Sequence, residues 1–268
     1  MSTRRRLDVE LVRRGLADSR TQAQALIEAG RVLVGGAPAM RAGRMVDPGE
    51  AVTVSGPPPR FVGRGGEKLD AALDRFGVDP AGMVCLDAGA STGGFTDCLL
   101  QRGAARVVAV DVGRHQLHQR LRTDPRVVSI ERTNVRSLAP TDLDDAPFSL
   151  LVADLSFISL RTVAPALAAL LAPRADVVLL VKPQFEAGRQ EVSAGKGVIR
   201  DPDVWRRVLL EVASAWQSQG ATMMGVMVSP IRGADGNVEF LAHLRPGTPG
   251  GDWDPDAAVA AGRELAGI

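Results

Sequence analysis

From residue 66 onward, short runs of apolar residues alternate with segments of helical periodicity, and this alternation constrains the fold more than any other sequence feature. Seven runs have the pattern of strands: 83–88, 106–112, 127–133, 149–156, 176–183, 221–230 and 236–244. The first five are nearly continuous in apolar residues, which is typical of parallel strands covered by helices on both faces. The last two lie close enough in sequence to pair antiparallel. The pattern predicts an α/β, Rossmann-like domain around a mixed seven-stranded sheet.

The segment before this pattern is different in composition and charge. Residues 1–59 contain nine arginines and six acidic residues, a net charge of +3, although the whole chain carries only +1. Two helical segments precede two short strand-like runs, which predicts a small α+β domain. The stretch "GPPPR" at 56–60 is stiff and extended and marks a boundary. The expected divisions are a small domain at 1–59, a linker at 60–66, the larger domain at 67–245 and a C-terminal tail at 246–268.

Composition excludes several classes of protein. No apolar run approaches the roughly 18 residues of a membrane-spanning helix, and the N-terminus is too polar for a signal peptide. Two cysteines without a CxxC spacing and three histidines in all make a metal site or a disulfide framework an unfavourable interpretation. We therefore expect a soluble cytoplasmic protein with no membrane partner and no metal. Composition does not determine the oligomeric state.

The stretch "VCLDAGASTGGFTDCLLQRG", residues 84–103, has the pattern of a buried strand, a glycine turn and a helix. Such turns hold nucleotide-type ligands at the carboxyl edge of a parallel sheet. The dinucleotide fingerprint G-x-G-x-x-G is broken here because Ser91 stands at its second glycine. Asp87 ends the strand, and its negative charge opposes a pyrophosphate but suits a ligand that carries an amine. S-adenosylmethionine has an amino group and a sulfonium and no phosphate.

Polar residues after the next two strands fit the same ligand. Asp111 follows the second strand, where an acid can accept both hydroxyls of a ribose. Asn134 follows the third strand and can hydrogen-bond an adenine edge. The alternatives are a turn shaped only by packing and, for the loop taken alone, an NAD site. The predicted cofactor-binding residues are Asp87, Gly89, Ala90, Ser91, Gly93, Gly94, Phe95, Asp111, Val112, Asn134 and Asp154.

Charged residues also end two later strands. Asp154 follows a largely apolar run, and Lys182 ends "VVLLVK". Charges at the carboxyl edge of a sheet are costly unless they are paired or used. For Lys68 and Glu239, two further candidates, a surface or salt-bridged charge is the usual outcome. A ribose 2′-OH is a poor nucleophile, so it must lose its proton as a methyl group arrives, and Lys182 is the predicted base.

Several motifs resemble one known family. The stretches "CLDAGASTGGFTDCLL", "VVAVDVGRHQL", "ERTNVR", "VADLSFISL" and "LVKPQFEAG" are similar to the TlyA family of haemolysin-like rRNA 2′-O-methyltransferases, whose catalytic domain is FtsJ-like. Residues 7–36 resemble the small RNA-binding domain, named after a ribosomal protein, at the N-terminus of that family. The resemblance covers roughly residues 1–245 and is strongest to actinobacterial members.

The resemblance implies S-adenosylmethionine as methyl donor and a catalytic tetrad on Lys68, Asp154, Lys182 and Glu239. It further implies that the substrate is a cytidine 2′-OH in rRNA, and that members with this N-terminus act on the small and large ribosomal subunits. Phe61 stands where close relatives are expected to have a tryptophan, which puts any stacking role there in question.

The arginines of the N-terminal domain agree with an RNA partner. They can contact phosphates or 2′-OH groups of folded RNA, whereas the low aromatic content disfavours a stacking platform for single strands. An arginine-rich solvated helix face is the competing interpretation for any one of them. The predicted RNA-binding residues are Arg4, Arg5, Arg6, Arg13, Arg14, Arg20 and Arg31.

Three other functions compete with an rRNA methyltransferase. A cytolysin would leave Asp154 and Lys182 without a role. A ribosome-assembly protein that keeps the fold without the activity is disfavoured by the complete tetrad. Methylation of a protein or a small molecule is disfavoured by the arginine-rich module.

Overall fold

The computed structural model describes residues 4–17, 20–57 and 59–268. By its internal contacts the chain divides into two units, Met1–Arg60 and Phe61–Ile268.

The first unit is a small α+β domain. Its elements are β1 (Arg5–Arg6), α1 (Leu7–Arg13), α2 (Arg20–Glu28), β2 (Val32–Val34), β3 (Ala37–Pro38), β4 (Met45–Val46) and β5 (Val52–Val54). Strand β2 pairs antiparallel with β3 and β5, and β1 pairs antiparallel with β4. The two helices bury Leu7, Leu11, Ala23 and Ile27 against these strands, because these residues recur at helical spacing on one face of each helix.

The second unit contains the larger sheet and its helices. Its strands are β6 (Val84–Ala88), β7 (Arg106–Val110), β8 (Val127–Ile130), β9 (Phe148–Ala153), β10 (Leu171–Val181), β11 (Ala221–Val228) and β12 (Phe240–Pro246). Its helices are α3 (Gly65–Phe76), α4 (Gly94–Gln101), α5 (Gln119–Arg122), α6 (Leu160–Ala168), α7 (Pro183–Glu186), α8 (Arg189–Ala194), α9 (Pro202–Gln217) and α10 (Pro255–Ala266), with 3₁₀ turns at Val135–Ser137, Pro140–Asp142 and Ala234–Gly236.

The seven strands form one mixed sheet in the order β11-β12-β10-β9-β6-β7-β8. The five strands from β6 to β10 are parallel, and β12 runs antiparallel between β10 and β11. The α/β, Rossmann-like class with a mixed seven-stranded sheet is therefore confirmed. The chain moves outward from β6 through β7 to β8 and then returns to the other side of β6 as β9. A ligand crevice is expected where the strand order reverses in this way, between β6 and β9.

Apolar residues cover both faces of this sheet. One face packs on α6, α9 and α10 and buries Trp205 and Trp216 completely. The other face packs on α3 and α4, where Leu69, Leu73 and Leu99 are buried. Burial on both faces explains why the parallel strands are apolar almost without interruption.

Two expected boundaries differ from the structure. Composition predicts a linker at residues 60–66, but Phe61 is buried, Val62 N donates to Asp97 Oδ2 at 2.8 Å, and α3 already begins at Gly65. The expected tail at 246–268 contains α10, which buries Ala258 and Val259 in the core of the second unit. Both segments are held by apolar contacts with residues that are distant in sequence. Local composition does not reveal such contacts.

Within the described ranges, none of the helices combines the length and the apolar character that crossing a membrane requires.

Candidate active site

The carboxyl ends of β6, β9 and β10 bring the predicted polar residues together. Ala88 of β6 is in register with Ala153 of β9, and Ala153 is in register with Leu179 of β10. Asp154 therefore follows the strand beside Asp87, and Lys182 leaves the strand beside Asp154. Strand β12 runs the opposite way and starts at this edge, where Phe240 faces Val181, so Glu239 lies there too.

The glycine loop between β6 and α4 packs tightly against the end of β9. Gly89 has φ 87°, and a Cβ there would lie 2.5 Å from the Asp154 carbonyl oxygen. Gly93 caps α4 at φ 97°, and Gly94 starts that helix. A Cβ on Gly93 would meet Leu121. Gly89 is confined to glycine by its backbone conformation and by the nearby carbonyl together, and Gly93 by its backbone conformation.

Asp87 lies beneath this loop. Its carboxylate is 0% exposed, Oδ2 accepts from Thr96 Oγ1 at 2.6 Å, and Oδ1 has no hydrogen-bond partner. Burial, with a smaller contribution from the nearby charge of Asp154, raises the pKa of Asp87 to about 7, although the hydrogen bond from Thr96 opposes the shift. A buried oxygen without a donor is costly unless a ligand or water supplies one. The sequence prediction of a cofactor contact at Asp87 stays a prediction.

Asp111 stands at the end of β7 and is held by the loop backbone. Its Oδ2 accepts from Ser91 N at 2.8 Å and its Oδ1 from Gly113 N at 2.6 Å. Thr133 N donates to the Asp111 carbonyl, which brings Asn134 close to the same strand end. Ala90, Ser91 and Asp111 line one crevice. Among the other predicted cofactor residues, Phe95 is buried and Val112 is 67% exposed.

These residues fit S-adenosylmethionine. The loop from Gly89 to Gly94 contains no cationic side chain, and carboxylates stand at the ends of β6, β7 and β9. This donor set suits a cationic nucleoside and opposes a pyrophosphate. Gly89 and Gly93 leave the loop backbone bare for a close approach.

Lys182 and Asp154 form an ion pair at the edge of the sheet. Lys182 Nζ lies 2.5 Å from Asp154 Oδ1 and donates to Ser156 Oγ at 3.0 Å. The lysine side chain is only 11% exposed, which shields it from water.

Lys68 and Glu239 form a second ion pair, which joins α3 to the residue that precedes β12. Lys68 Nζ donates to Glu239 Oε2, and the two side chains are 8% and 3% exposed. Glu239 also lies against Gly233, where a Cβ would collide with Oε1. The alternative considered for Lys68 and Glu239 was a surface or salt-bridged charge: the structure shows the salt bridge, and it contradicts only the surface position, because both side chains are buried.

Three of the four tetrad residues line one cavity of about 830 Å³. Lys68, Lys182 and Glu239 line it, together with Ser156 and the aromatic residues Phe157 and Phe185. Asp154 does not line this cavity, but it contacts Lys182, which does. The structure thus assembles two lysines and two carboxylates from four separate chain segments beside the glycine loop.

Sequence reasoning missed the aromatic residues of this cavity. Phe157 is 91% exposed at φ 64°, and its ring lies 5.1 Å from that of Phe185. Lys182 Nζ lies 5.7 Å from the centre of the Phe185 ring. An exposed aromatic residue in an unfavourable backbone conformation is costly, and a π-face at a cavity mouth can receive a nucleobase. The signal in the sequence was a phenylalanine directly after the strand-end motif "ADLS".

A second missed signal is the scarcity of lysine. The chain contains three lysines, Lys68, Lys182 and Lys196, and every other basic side chain apart from histidine is arginine. An arginine stays charged in proteins, whereas a lysine amine can lose its proton. Two of the three lysines line the cavity.

Glu186 is a further buried polar residue that the sequence pattern did not single out. It is 4% exposed and accepts from Leu160 N at 2.6 Å and from Ser159 Oγ at 2.5 Å. Burial raises its pKa, while hydrogen bonds from Ser159 and Leu160 oppose that shift. The contact ties the segment after Lys182 to the segment after Asp154.

The seven predicted RNA-binding arginines fall into two groups in the first unit. Arg14 donates to the carbonyl oxygens of Glu50 and Pro48, and Arg31 donates to those of Ser55 and Pro57. These two contribute to the fold of the unit. The other five pair with carboxylates and keep their side chains 44–66% exposed: Arg4, Arg5, Arg6, Arg13 and Arg20.

Comparison with known families matches both units. Residues 61–246 match the FtsJ-like methyltransferase family, and residues 5–52 match the S4 domain. The chain is 52% identical over 249 residues to the "16S/23S rRNA (cytidine-2'-O)-methyltransferase TlyA" of Mycobacterium tuberculosis, covering 92% of each chain. It is 47% identical over 243 residues to the "Putative rRNA methyltransferase YqxC" of Bacillus subtilis, covering 91% of this chain and 86% of that one.

A solved structure matches the whole chain. The "Putative hemolysin from Streptococcus thermophilus" superposes with a TM-score of 0.79 at 40% identity and covers 99% of this chain and 98% of that one.

Proposed function

The chain belongs to the TlyA family of FtsJ-like methyltransferases, and we propose that it methylates the 2′-OH of cytidine in ribosomal RNA with Lys182 as the base. It is an S-adenosylmethionine-dependent methyltransferase. The observation that carries the lysine-assisted mechanism is the ion pair between Lys182 Nζ and Asp154 Oδ1, 2.5 Å apart at the switch point of the sheet.

Different residues of the site would hold different parts of S-adenosylmethionine. S-adenosylmethionine, when bound, supplies an electrophilic methyl group on its sulfonium. Asp111, fixed by two backbone N–H groups, would accept the ribose hydroxyls, and the Gly89–Gly94 loop would accommodate the methionine portion. Asp154, and Asp87 when ionised, would provide the negative charge that suits a cationic donor. The complementary charges favour the cationic donor.

Lys182 moves the proton. Its Nζ accepts the hydrogen of the ribose 2′-OH, and Asp154 stabilises the ammonium that results, since that cation forms beside the carboxylate. Lys182 can accept this proton only as the neutral amine, so the ammonium that pairs with Asp154 must first release its own proton to solvent, and the ion pair forms again when the 2′-OH proton arrives. An arginine at this position could not accept the proton, because its guanidinium stays protonated in proteins.

Lys68 and Glu239 line the same cavity as Lys182 and support this step. Their mutual neutralisation keeps two buried groups from leaving an uncompensated charge near the reacting atoms.

The RNA substrate rests on three supports. The relative from Mycobacterium tuberculosis is named as a 16S/23S rRNA (cytidine-2′-O)-methyltransferase. The first unit matches the S4 domain and presents five exposed arginines that suit phosphates. Phe157 at the mouth of the cavity offers a π-face for a base displaced from its stack. We propose that both ribosomal subunits are substrates, which places the enzyme in the cytoplasm.

The competing functions fit these observations less well. A strictly cytolytic protein would have no use for Lys182 at a strand end beside the glycine loop. A binding protein without activity would have no reason to keep two lysines in this cavity when nearly every other basic position in the chain is arginine.

The test is methyl transfer to purified, unmodified small and large ribosomal subunits. Wild type and Lys182→Ala are incubated side by side with methyl-labelled S-adenosylmethionine, and the labelled nucleotide is mapped. Label on a cytidine 2′-O from wild type alone supports the proposal. Cofactor binding without label in either subunit contradicts the rRNA substrate, and equal label from both proteins contradicts the lysine base.

A further inference from the structure

Two buried carboxylates lie beneath the exposed arginines of the first unit. Asp8, in the first turn of α1, is 0% exposed. It accepts from Arg6 Nε and Nη2, each at 3.1 Å, and from Arg20 Nη2 at 3.0 Å. Gln24 Nε2 donates to it as well, at 3.1 Å. The side chains of Arg6 and Arg20 remain 48% and 59% exposed, so a buried anion holds two exposed cations in place.

Glu10 repeats this arrangement two residues later. It is 1% exposed and accepts from Arg13 Nε and Nη2 at 2.7 and 2.6 Å and from Arg14 Nε at 2.7 Å. Arg5 Nη1 lies 4.0 Å away. Hydrogen bonding from Arg13 lowers the pKa of Glu10 to about 2, and hydrogen bonding from Arg6 holds the pKa of Asp8 well below its usual range. Both groups are therefore anions at neutral pH.

These anions are unexpected on a surface that binds a polyanion. Each lowers the positive potential of the unit, and each loses its hydration by burial. The arrangement has a benefit if the arginines must be held in fixed directions. A guanidinium carries five N–H donors, and Asp8 engages two from Arg6 and one from Arg20, so the same groups can also donate to a phosphate.

We propose that Asp8 and Glu10 are positioning residues that fix Arg6, Arg20, Arg5 and Arg13 for the phosphates of folded rRNA, so that removal of these negative charges weakens RNA binding. The inference rests on the proposed function, because it requires that the first unit binds rRNA. The physical basis is preorganisation: an arginine that is already oriented loses less conformational entropy when it binds.

A matched substitution separates positioning from net charge. Asp8→Asn and Glu28→Gln each remove one negative charge from the first unit, and Glu28 is exposed at the end of α2. Both variants gain the same net positive charge, so the long-range attraction for RNA increases equally in both. Positioning predicts weaker binding for Asp8→Asn, whereas charge alone predicts equal or tighter binding for both.

The experiment measures the affinity of the full-length chain for purified, unmodified ribosomal subunits at several salt concentrations. Asp8→Asn should bind about tenfold more weakly than wild type, the effect of releasing two arginine side chains. The slope of log K against log salt should become shallower by about 1–2, one unit for each phosphate that the variant no longer neutralises. Glu28→Gln should match wild type or bind slightly more tightly. In an Arg20→Ala background, Asp8→Asn should cost less than it does alone, because part of its effect acts through Arg20.

The outcomes are distinct. Equal affinities for Asp8→Asn and Glu28→Gln, or a fully additive effect with Arg20→Ala, would overturn the inference while rRNA binding by wild type stands. Failure of wild type to bind either subunit would instead overturn the proposed function. If circular dichroism shows that Asp8→Asn unfolds the first unit, Glu10→Gln carries the same test through Arg13. Unfolding in both variants would make the carboxylates purely structural and would overturn the inference.

Discussion

Lys182 and Asp154 end neighbouring parallel strands, and their charged atoms approach to 2.5 Å at the edge where the strand order reverses. The neighbouring parallel strands β9 and β10 both run through the core of the second unit and end at this edge. Register fixes the pair, since Ala153 faces Leu179 and each strand then continues to its charged residue. A shift by one residue would point the two side chains to other faces of the sheet.

Gly89 controls the approach of the cofactor loop to β9. Gly89→Ala should weaken S-adenosylmethionine binding at least about tenfold, because its Cβ would lie 2.5 Å from the Asp154 carbonyl oxygen and would push the loop away. Titration calorimetry with the cofactor measures this. Gly77→Ala is the matched control: it also has a positive φ, 65°, but nothing lies within 4 Å of its Cβ. The control should lose only about 1–2 kcal/mol of stability and keep its affinity. Equal affinities in the two variants would argue against close packing of the loop as the cause.

Lys68 and Glu239 should stabilise the fold only as a pair. Lys68→Met and Glu239→Gln should each lower the free energy of unfolding by about 3–5 kcal/mol, because each leaves a buried charge without a partner. The double variant should lose less than the sum of the two. Urea unfolding measures all three. The exposed pair Arg206–Asp256 supplies the control, and Asp256→Asn should leave the free energy of unfolding nearly unchanged because water screens that pair. Additive losses at Lys68 and Glu239 would mean that the two charges do not interact.

Asp87 should make stability depend on pH near neutrality. The pKa of its carboxyl is about 7 in the folded chain and near 3.8 when unfolded, so folding favours the protonated form. Its contribution to stability is fully present below the unfolded value and is lost as pH rises through about 7. Between pH 6 and pH 8, Asp87→Asn should gain about 1.4 kcal/mol relative to wild type. Urea unfolding at both pH values measures the gain, and Asp144→Asn, an exposed acid, should show none. No gain for Asp87→Asn would mean that the buried carboxyl is ionised at both values.

Periodicity and strand-end chemistry predicted much of this arrangement. Asp87, Asp111, Asp154 and Lys182 each end a run of apolar residues, and the ends of parallel strands meet at one edge whatever loops connect them. The parallel order itself follows from the apolar runs and the helices between them. These inferences depend only on neighbours in sequence and on general rules for sheets.

Contacts between distant segments were not accessible in the same way. Lys68 and Glu239 are 171 residues apart, and no local pattern indicates that α3 carries its lysine to the start of β12. Phe61 and Val62 belong to the second unit because of contacts such as the one with Asp97, although their local sequence resembles a linker. Arg14 and Arg31 donate to backbone carbonyls, which no count of charges can distinguish from exposed arginines.

The most direct test of the central claim is Lys182→Arg. Arginine keeps the positive charge beside Asp154 but cannot act as a base, because its guanidinium does not lose its proton in proteins. Single-turnover methyl transfer to unmodified ribosomal subunits is measured at saturating cofactor for Lys182→Arg and for Lys196→Arg, the exposed lysine that serves as control. The account predicts that Lys182→Arg binds S-adenosylmethionine as wild type does and transfers methyl at least about 100-fold more slowly, while Lys196→Arg stays fully active. Methyl transfer by Lys182→Arg at a rate within about tenfold of wild type would contradict the lysine base.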